Sequence, residues 1–271
     1  MKIIDLSPEY EAPYFVCLED WSSEMAEAGS HKEQWYRKMQ DHGLRVKLAL
    51  DDREVAGGMI QYAPIENVPV EGNDLYYTYC IWVHGYKEGP GQLRNRGMGS
   101  ALLRAAEKDV RELGGKGLVV WGMTLPFFMR ASWFRKHGYR RVDRDGVVEL
   151  LWKPFAADAV PPKWIRRKKR PTLTPGAVTV TCLRSGWCPA QNLVCERARR
   201  AVAELGEDVV LQEVDTFDRE RALEWGVTDA LFVDGKRIRT GPPPSYERIK
   251  HAIAERLHRF RKHRHGRTPA A

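Results

Sequence analysis

The sequence has no long apolar run. No stretch of its 271 residues approaches the roughly 20 apolar side chains a membrane-spanning helix needs, so a membrane partner is not expected. The opening residues, Met1-Lys2-Ile3-Ile4-Asp5, lack a signal-peptide pattern because Asp5 breaks the apolar start. A cytoplasmic location is therefore the expectation. Cysteine is scarce and odd in number: Cys17, Cys80, Cys182, Cys188 and Cys195. Such a set argues against a disulfide framework. Three of the five fall between positions 182 and 195, yet Cys-x5-Cys-x6-Cys matches no common zinc spacing, and no metal site is expected. No internal repeat is present.

The composition, 43% hydrophobic and 30% charged, is that of a globular protein, and the length suits one large domain or two ordinary ones. The net charge of +8 suggests anionic partners. The excess gathers in Lys163-Trp164-Ile165-Arg166-Arg167-Lys168-Lys169-Arg170 and in a tail rich in Arg and His, Arg256 to Arg267. Neither run sits in a recognisable nucleic-acid fold, so they read as a solvated linker and a disordered tail over 261–271.

Periodicity predicts a strand over 1–6 and helices over 13–20 and 31–41, with Trp35 and Met39 on one face. Residues 44–50 alternate, with Leu44, Val46, Leu48 and Leu50 on one side and Arg45 and Lys47 on the other. With 54–62 they form a hairpin around Asp51-Asp52-Arg53. Residues 63–73 read as a loop. Leu75 to Val83 is rich in aromatic and β-branched residues and reads as a strand. A helix over 98–113 buries Leu102, Leu103, Ala106 and Val110 and stops at Gly114-Gly115. A buried strand (117–123), a helix (127–137) and two closing strands (139–142, 147–152) follow. Five prolines between Pro154 and Pro175 mark a linker or surface strap. Beyond it, strands at 178–183, 208–214, 230–233 and 236–238 and helices to 205, over 218–225 and over 245–260 give the order βαβα–ββα, a small α/β module.

The centre of the first half is Arg94-Asn95-Arg96-Gly97-Met98-Gly99-Ser100, a basic, glycine-containing turn between strand and helix. Free N–H groups and the dipole at a helix start favour an anion, and glycines let the backbone approach it closely. The Lys-Ser/Thr ending of a nucleotide phosphate loop is absent.

These residues carry a resemblance. Residues 1–153 resemble a GNAT-family N-acetyltransferase, whose Gln/Arg-x-x-Gly-x-Gly/Ala signature stands here as Arg94 to Gly99. A later aromatic helix ending in Gly-Phe/Tyr stands as Trp133 to Tyr139. The resemblance implies a mixed, mainly antiparallel sheet with flanking helices, and acetyl-CoA as co-substrate. Its pyrophosphate would lie on the N–H groups of Arg96, Gly97, Met98, Gly99 and Ser100, near Arg94, Asn95 and Arg96. The strand ending at Trp82 and Val83 would splay from the one around 119–121, pair with the pantetheine arm and polarise the thioester carbonyl through a backbone N–H. An amine would then attack directly. Two departures stand out. The loop 83–94 is long for the family and would shape a substrate or cofactor lip. Phe134 occupies the position where many members carry a tyrosine acid, leaving Tyr139, Cys80, Tyr79 and His84 as candidate proton donors. The strand 75–83 carries no carboxylate to act as base.

Residues 177–260 resemble a thioredoxin-like fold that presents Cys188 at a helix N-terminus after Gly186-Trp187, where a thiolate is stabilised. Gln191 replaces the second cysteine of a Cys-x-x-Cys pair, and Asp229-Ala230 stands near the usual cis-proline. Cys188 would then act as a single thiol, in redox chemistry or soft-metal binding. Cys195 is two helical turns from it, about 10 Å along the axis and too far to bridge. Cys182 and Cys195 read as buried core thiols. The two halves together resemble the YoaP-type acetyltransferases. The second domain would shape the site, recruit substrate or mediate homodimerisation. The expectation is an acetyl-CoA-dependent N-acetyltransferase acting on a small-molecule or protein amine. A thiol protein working through Cys188, and an acyl-CoA sensor whose basic tail binds nucleic acid, are the alternatives.

Overall fold

The computed structural model describes residues 1–125, 128–166, 169–238 and 243–265. In chain order the elements are β1 (Lys2–Asp5), α1 (Glu11–Phe15), α2 (Ser23–Glu27), α3 (His31–Gln40), β2 (Arg45–Leu50), β3 (Ala56–Pro64), β4 (Val70–Glu71) and β5 (Leu75–Val83). Next come α4 (Met98–Glu112), β6 (Gly117–Met123), α5 (Ala131–Lys136), β7 (Arg140–Asp145), β8 (Val148–Pro154) and β9 (Lys163–Trp164). The remainder holds β10 (Val178–Arg184), α6 (Pro189–Leu205), β11 (Val209–Asp215), α7 (Arg219–Trp225), β12 (Ala230–Val233), β13 (Lys236–Ile238) and α8 (Tyr246–His265). The chain divides into two compact units, Met1–Ser22 with Glu33–Arg166 and Ser23–Lys32 with Arg167–Ala271. This differs from a simple cut within the proline-rich stretch, because ten residues of the N-terminal half belong to the second unit.

The first unit is a seven-stranded sheet in the order β1-β2-β3-β5-β6-β8-β7. Every neighbouring pair is antiparallel except β5 and β6. That is the mixed, mainly antiparallel sheet expected. Helix α4 covers one face. Its Leu102, Leu103, Ala106 and Val110 are fully buried with Ile60, Tyr62, Leu118 and Val120, and burying each such aliphatic chain stabilises the fold by about 1.5–3 kcal/mol. On the other side of the sheet Tyr14 bonds Gln61 through its hydroxyl (2.7 Å), and Trp35 of α3 meets Tyr79 edge-on.

Several local expectations change. The helix expected over 13–20 stops at Phe15, because Cys17 and Leu18 take left-handed backbone angles (φ 54° and 63°). The polar side of β2 is covered by α4, though Arg45 stays part-exposed. Arg45 and Lys47 lie under α4, where Asp109 accepts from Arg45 Nε (3.0 Å) and Nη2 (2.9 Å) and from Tyr62 Oη (2.6 Å), with Lys47 Nζ at 3.3 Å. Helix α5 is shorter than expected, and Phe127 lies outside the described residues. Part of the proline-rich stretch is ordered as a strap: β9 pairs with β4, and Asp143 accepts from the Trp164 N–H (2.9 Å) and from Arg166 (2.6 Å). Arg167 and Lys168 of the basic run are outside the described residues.

The second unit is a four-stranded sheet, β11-β10-β12-β13. β10 and β11 are parallel, connected through α6, while β12 and β13 run antiparallel. Helices α6 and α8 bury Val194, Ala198, Ile249, Ile253 and Leu257 against Val180 and Leu231. Within this unit, α2 meets α6 through charge: Arg197 donates to Glu24 (2.6 Å) and Glu27 (3.3 Å), and Arg200 pairs with Glu27 (3.0 Å). Two expectations are corrected. Helix α8 continues to His265, so the first residues of the supposed tail are helical, Arg261 bonding Asp208 (2.8 Å); 266–271 lie outside the described residues. Cys182 and Cys195 form a disulfide rather than two core thiols, with their Cα atoms 5.9 Å apart. Spacing along α6 separates Cys195 from Cys188. The packing of α6 on β10 is what brings Cys195 to Cys182.

Candidate functional site

β5 is the strand on which the site is built. It pairs with β6 only from Leu75 to Thr78, opposite Gly117 to Val120; beyond that the two strands separate. At the point of separation β5 carries a bulge against β3. Gln61 faces Cys80 and Tyr62 faces Thr78, leaving Tyr79 as the extra residue. Such a bulge reverses which face successive side chains take. Tyr79 meets Trp35, whereas Ile81 and Val83 pack into the α4 core. The backbone of Tyr79 and Ile81 is turned toward the gap. Tyr79 C=O accepts from Trp121 Nε1 (2.8 Å), and Ile81 N–H reaches the sulfur of Met129 (3.4 Å).

The chain leaves β5 through a tightly pinned loop. His84 is fully buried. Its Nδ1 bonds the Gly91 carbonyl (2.8 Å) and its Nε2 faces Trp21 Nε1 (3.2 Å). A carbonyl can only accept and an indole N–H can only donate, so Nδ1 carries the proton and Nε2 offers its lone pair. Backbone bonds from His84 N to Gly57 O (2.9 Å) and from Leu93 N to His84 O (3.0 Å) close the loop. Asn95 and Gly97 then take left-handed angles (φ 64° and 83°), which turn the chain into α4.

Gly97 caps α4 without a side-chain bond, and the first turn holds no acidic residue. A Cβ at Gly97 would meet nothing within 4 Å, so the space beside this residue is open. Gly99 lies beneath Trp133, whose ring a Cβ there would touch at 3.5 Å. Arg94 lies over Trp82 (4.8 Å from guanidinium to ring centre), with Nε 3.4 Å from Val83 O. Asn95 and Arg96 are exposed, and Met98 is buried. Ser100 Oγ bonds His137 Nε2 (2.9 Å), and His137 Nδ1 bonds Trp133 O (2.9 Å). The second bond makes Nδ1 a donor, and on a neutral ring Nε2 then accepts the hydrogen bond of the Ser100 hydroxyl. Sequence reasoning missed His137; its signal was a histidine just before the glycine that ends α5.

The candidate proton donors do not gather at the gap. Tyr139 is buried beside Phe134, and burial, reinforced by the Glu107 carboxylate, holds its pKa well above the usual phenol value. Tyr79 turns its hydroxyl toward Asn67 O (3.3 Å), and Cys80 is buried. Both ring nitrogens of His84 are occupied. Phe134 is fully buried in the α4 core.

In the second unit Cys188 is the N-cap of α6, with Pro189 in the first turn. The turn before it is fastened by Asp229, which accepts from Ser185 N (3.1 Å), Ser185 Oγ (3.0 Å), Trp187 Nε1 (3.1 Å) and Thr228 Oγ1 (2.9 Å). Burial raises the Asp229 pKa above the usual carboxylate value even though these bonds favour the anion. Asn192 Nδ2 reaches back to Gly186 O (2.9 Å). No group of His, Cys, Asp and Glu suited to a metal occurs among the described residues, and none of their helices is long and apolar enough to cross a membrane.

No family model and no curated protein matches this sequence. Solved structures similar to it include the GNAT-family acetyltransferase YhbS from Escherichia coli in complex with CoA (14% identity, 60% of this chain and 88% of that one, TM-score 0.42). Others are the PaiA N-acetyltransferase from Thermoplasma acidophilum with coenzyme A (19%, 57% and 100%, 0.39) and a GNAT-family acetyltransferase from Brucella melitensis with acetyl-CoA (16%, 59% and 90%, 0.38).

Proposed function

We propose that the first unit is an acetyl-CoA-dependent N-acetyltransferase acting on an amine of a small molecule or a protein. One observation carries the reading. A strand pair opens after Thr78 and Val120, and the strand it frees leads through a glycine turn to an uncapped helix N-terminus. A nucleotide needs the helix start but has no use for the gap. An acyl-pantetheine needs both, because its diphosphate is anionic and its arm carries amide groups that pair like a strand.

The residues present fit such a ligand. The N–H groups of Gly97, Met98, Gly99 and Ser100 would hold the diphosphate, joined by Arg94 once it leaves Trp82, and by Arg96. Ser100 would bind through its N–H, since its hydroxyl is given to His137. Tyr79 C=O and Ile81 N–H would pair with the arm and its thioester. Bound acetyl-CoA supplies the activated acetyl group. The chain orients it and stabilises charge on the carbonyl oxygen through the Ile81 N–H. None of Tyr139, Tyr79, Cys80 and His84 is aimed at the gap, so solvent would take the proton the amine loses and supply the one the departing sulfur needs. Trp82 Nε1 is buried with no acceptor among the described residues and offers a donor to an acceptor substrate. The test is release of CoA in an amine-library screen, with protection of the chain against thermal unfolding by acetyl-CoA. No protection would defeat the reading.

For the second unit, the strand order and directions support a thioredoxin-like module of the YoaP type. Cys188 at the helix start, outside the Cys182–Cys195 disulfide, favours a single-thiol role there. A Cys188 that reacts at neutral pH no faster than Cys17 would defeat it.

A further inference from the structure

The sulfur of Met129 stands where a thioester oxygen would have to stand. Ile81 N–H has one direction of donation, and it points out of β5 into the gap, at Met129 Sδ 3.4 Å away. A carbonyl oxygen accepting that N–H would lie about 2.9 Å from the nitrogen along the same line. The two cannot be there together.

Met129 is held in place by its backbone. Its carbonyl accepts from Met123 N–H of β6 (2.7 Å), and the next residue, Arg130, bridges Met123 in parallel register. Ala131 follows so closely on β6 that a Cβ at Gly122 would meet its backbone at 2.8 Å. Met129 also takes a left-handed angle (φ 47°), uncommon for a residue with a side chain, and is itself buried. An unbranched, flexible thioether in a strained backbone position thus fills a gap between two strands, answering the strand's free donor with a weak acceptor.

We infer that Met129 is a displaceable stopper in the β5–β6 gap, which an acyl-thioester carbonyl must expel to reach Ile81 N–H, and that its side chain sets the size of acyl group admitted. This rests on the acyl-CoA reading of the site. Free CoA has no thioester carbonyl, so its thiol does not compete for Ile81 N–H. Oxygen is a better acceptor than a thioether, so the exchange is favourable for an acetyl group. A longer acyl chain must also find the volume that Met129 occupies.

Titration calorimetry of the full chain with CoA, acetyl-CoA and butyryl-CoA tests this on wild type, Met129→Ala and Met129→Gly; glycine also suits the left-handed angle. The expected result is acetyl-CoA affinity raised at least fivefold, butyryl-CoA raised further, and CoA affinity within twofold of wild type. Equal changes for CoA and acetyl-CoA, or none, would overturn the inference while leaving the cradle intact. Binding of neither ligand by any of the three proteins would overturn the acyl-CoA reading and the inference with it. Should the variants fold poorly, wild type labelled with 13C-methyl methionine gives an independent answer. The Met129 signal, assigned through Met129→Leu, should move on addition of acetyl-CoA and stay near its place with CoA. Identical movement with both ligands counts against the stopper.

Discussion

The two units each place a turn and a helix N-terminus after a strand, neither helix having a side-chain cap or an acid in its first turn, and they differ in how the turn leading in is held. In the first, Gly97 leads α4 with no side-chain cap, no acid in the first turn and open space above it. In the second, the turn before Cys188 is fastened by Asp229 and Asn192. An open start with free N–H groups suits an anion that brings its own charge. A fastened start holds one side chain, the thiol, in a fixed place against the dipole. The same element is therefore left open in one unit and fastened around a side chain in the other.

The contrast extends to two buried aspartates. Burial raises the pKa of both, and it is the largest influence on each. Asp109 has Arg45 and Lys47 against it, and their bonds and charge bring it below the usual value. Asp229 has only neutral donors, and it stays above. A lowered pKa means stability present at neutral pH and lost as pH falls below about 3.8 through the folded value. A raised one means stability present in acid and lost as pH climbs through the folded value.

The largest expected effect breaks the open turn. Gly97→Trp must hold a side chain at φ 83° over the approach to the N–H groups, and acetyl-CoA protection against thermal unfolding should vanish. Next comes the second unit's crosslink. Removing the 13-residue link with Cys195→Ala should cost that unit about 3 kcal/mol in denaturant titration. Asp229→Ala removes the shared acceptor of Ser185, Trp187 and Thr228, at about 2 kcal/mol, and should shift Trp187 fluorescence and slow Cys188 alkylation. Asp109→Asn should cost a similar ~2 kcal/mol at pH 7, discounted because Arg45 is part-exposed, and less at pH 3, so its difference from wild type shrinks in acid. The smallest is Cys188→Ala, for which CoA release by the first unit should be unchanged; a marked loss would join the thiol to the transfer reaction.

Most elements were legible because their signals are local. The aromatic strand Leu75 to Val83, the apolar spacing of α4 and the Gly-rich turn each needed only neighbouring residues. The failures share a cause. Arg45 and Lys47 read only as the polar side of a strand, because nothing local announces Asp109, 64 residues from Arg45. Cys182 and Cys195 read as separate thiols because their pairing depends on α6 lying on β10. Helix 13–20 failed at Cys17 and Leu18, whose left-handed angles no propensity signals.

Chain order alone places glycines and the free N–H groups of a helix start at residues 97–100, an arrangement that suits an anion. It also determined that residue 134 has no hydroxyl. Tertiary structure decided the rest. It buried Tyr139 and bound both nitrogens of His84, which residue type alone does not show. It opened β5 from β6 and set Met129 in the gap, because register and packing fix which backbone groups are left to be answered.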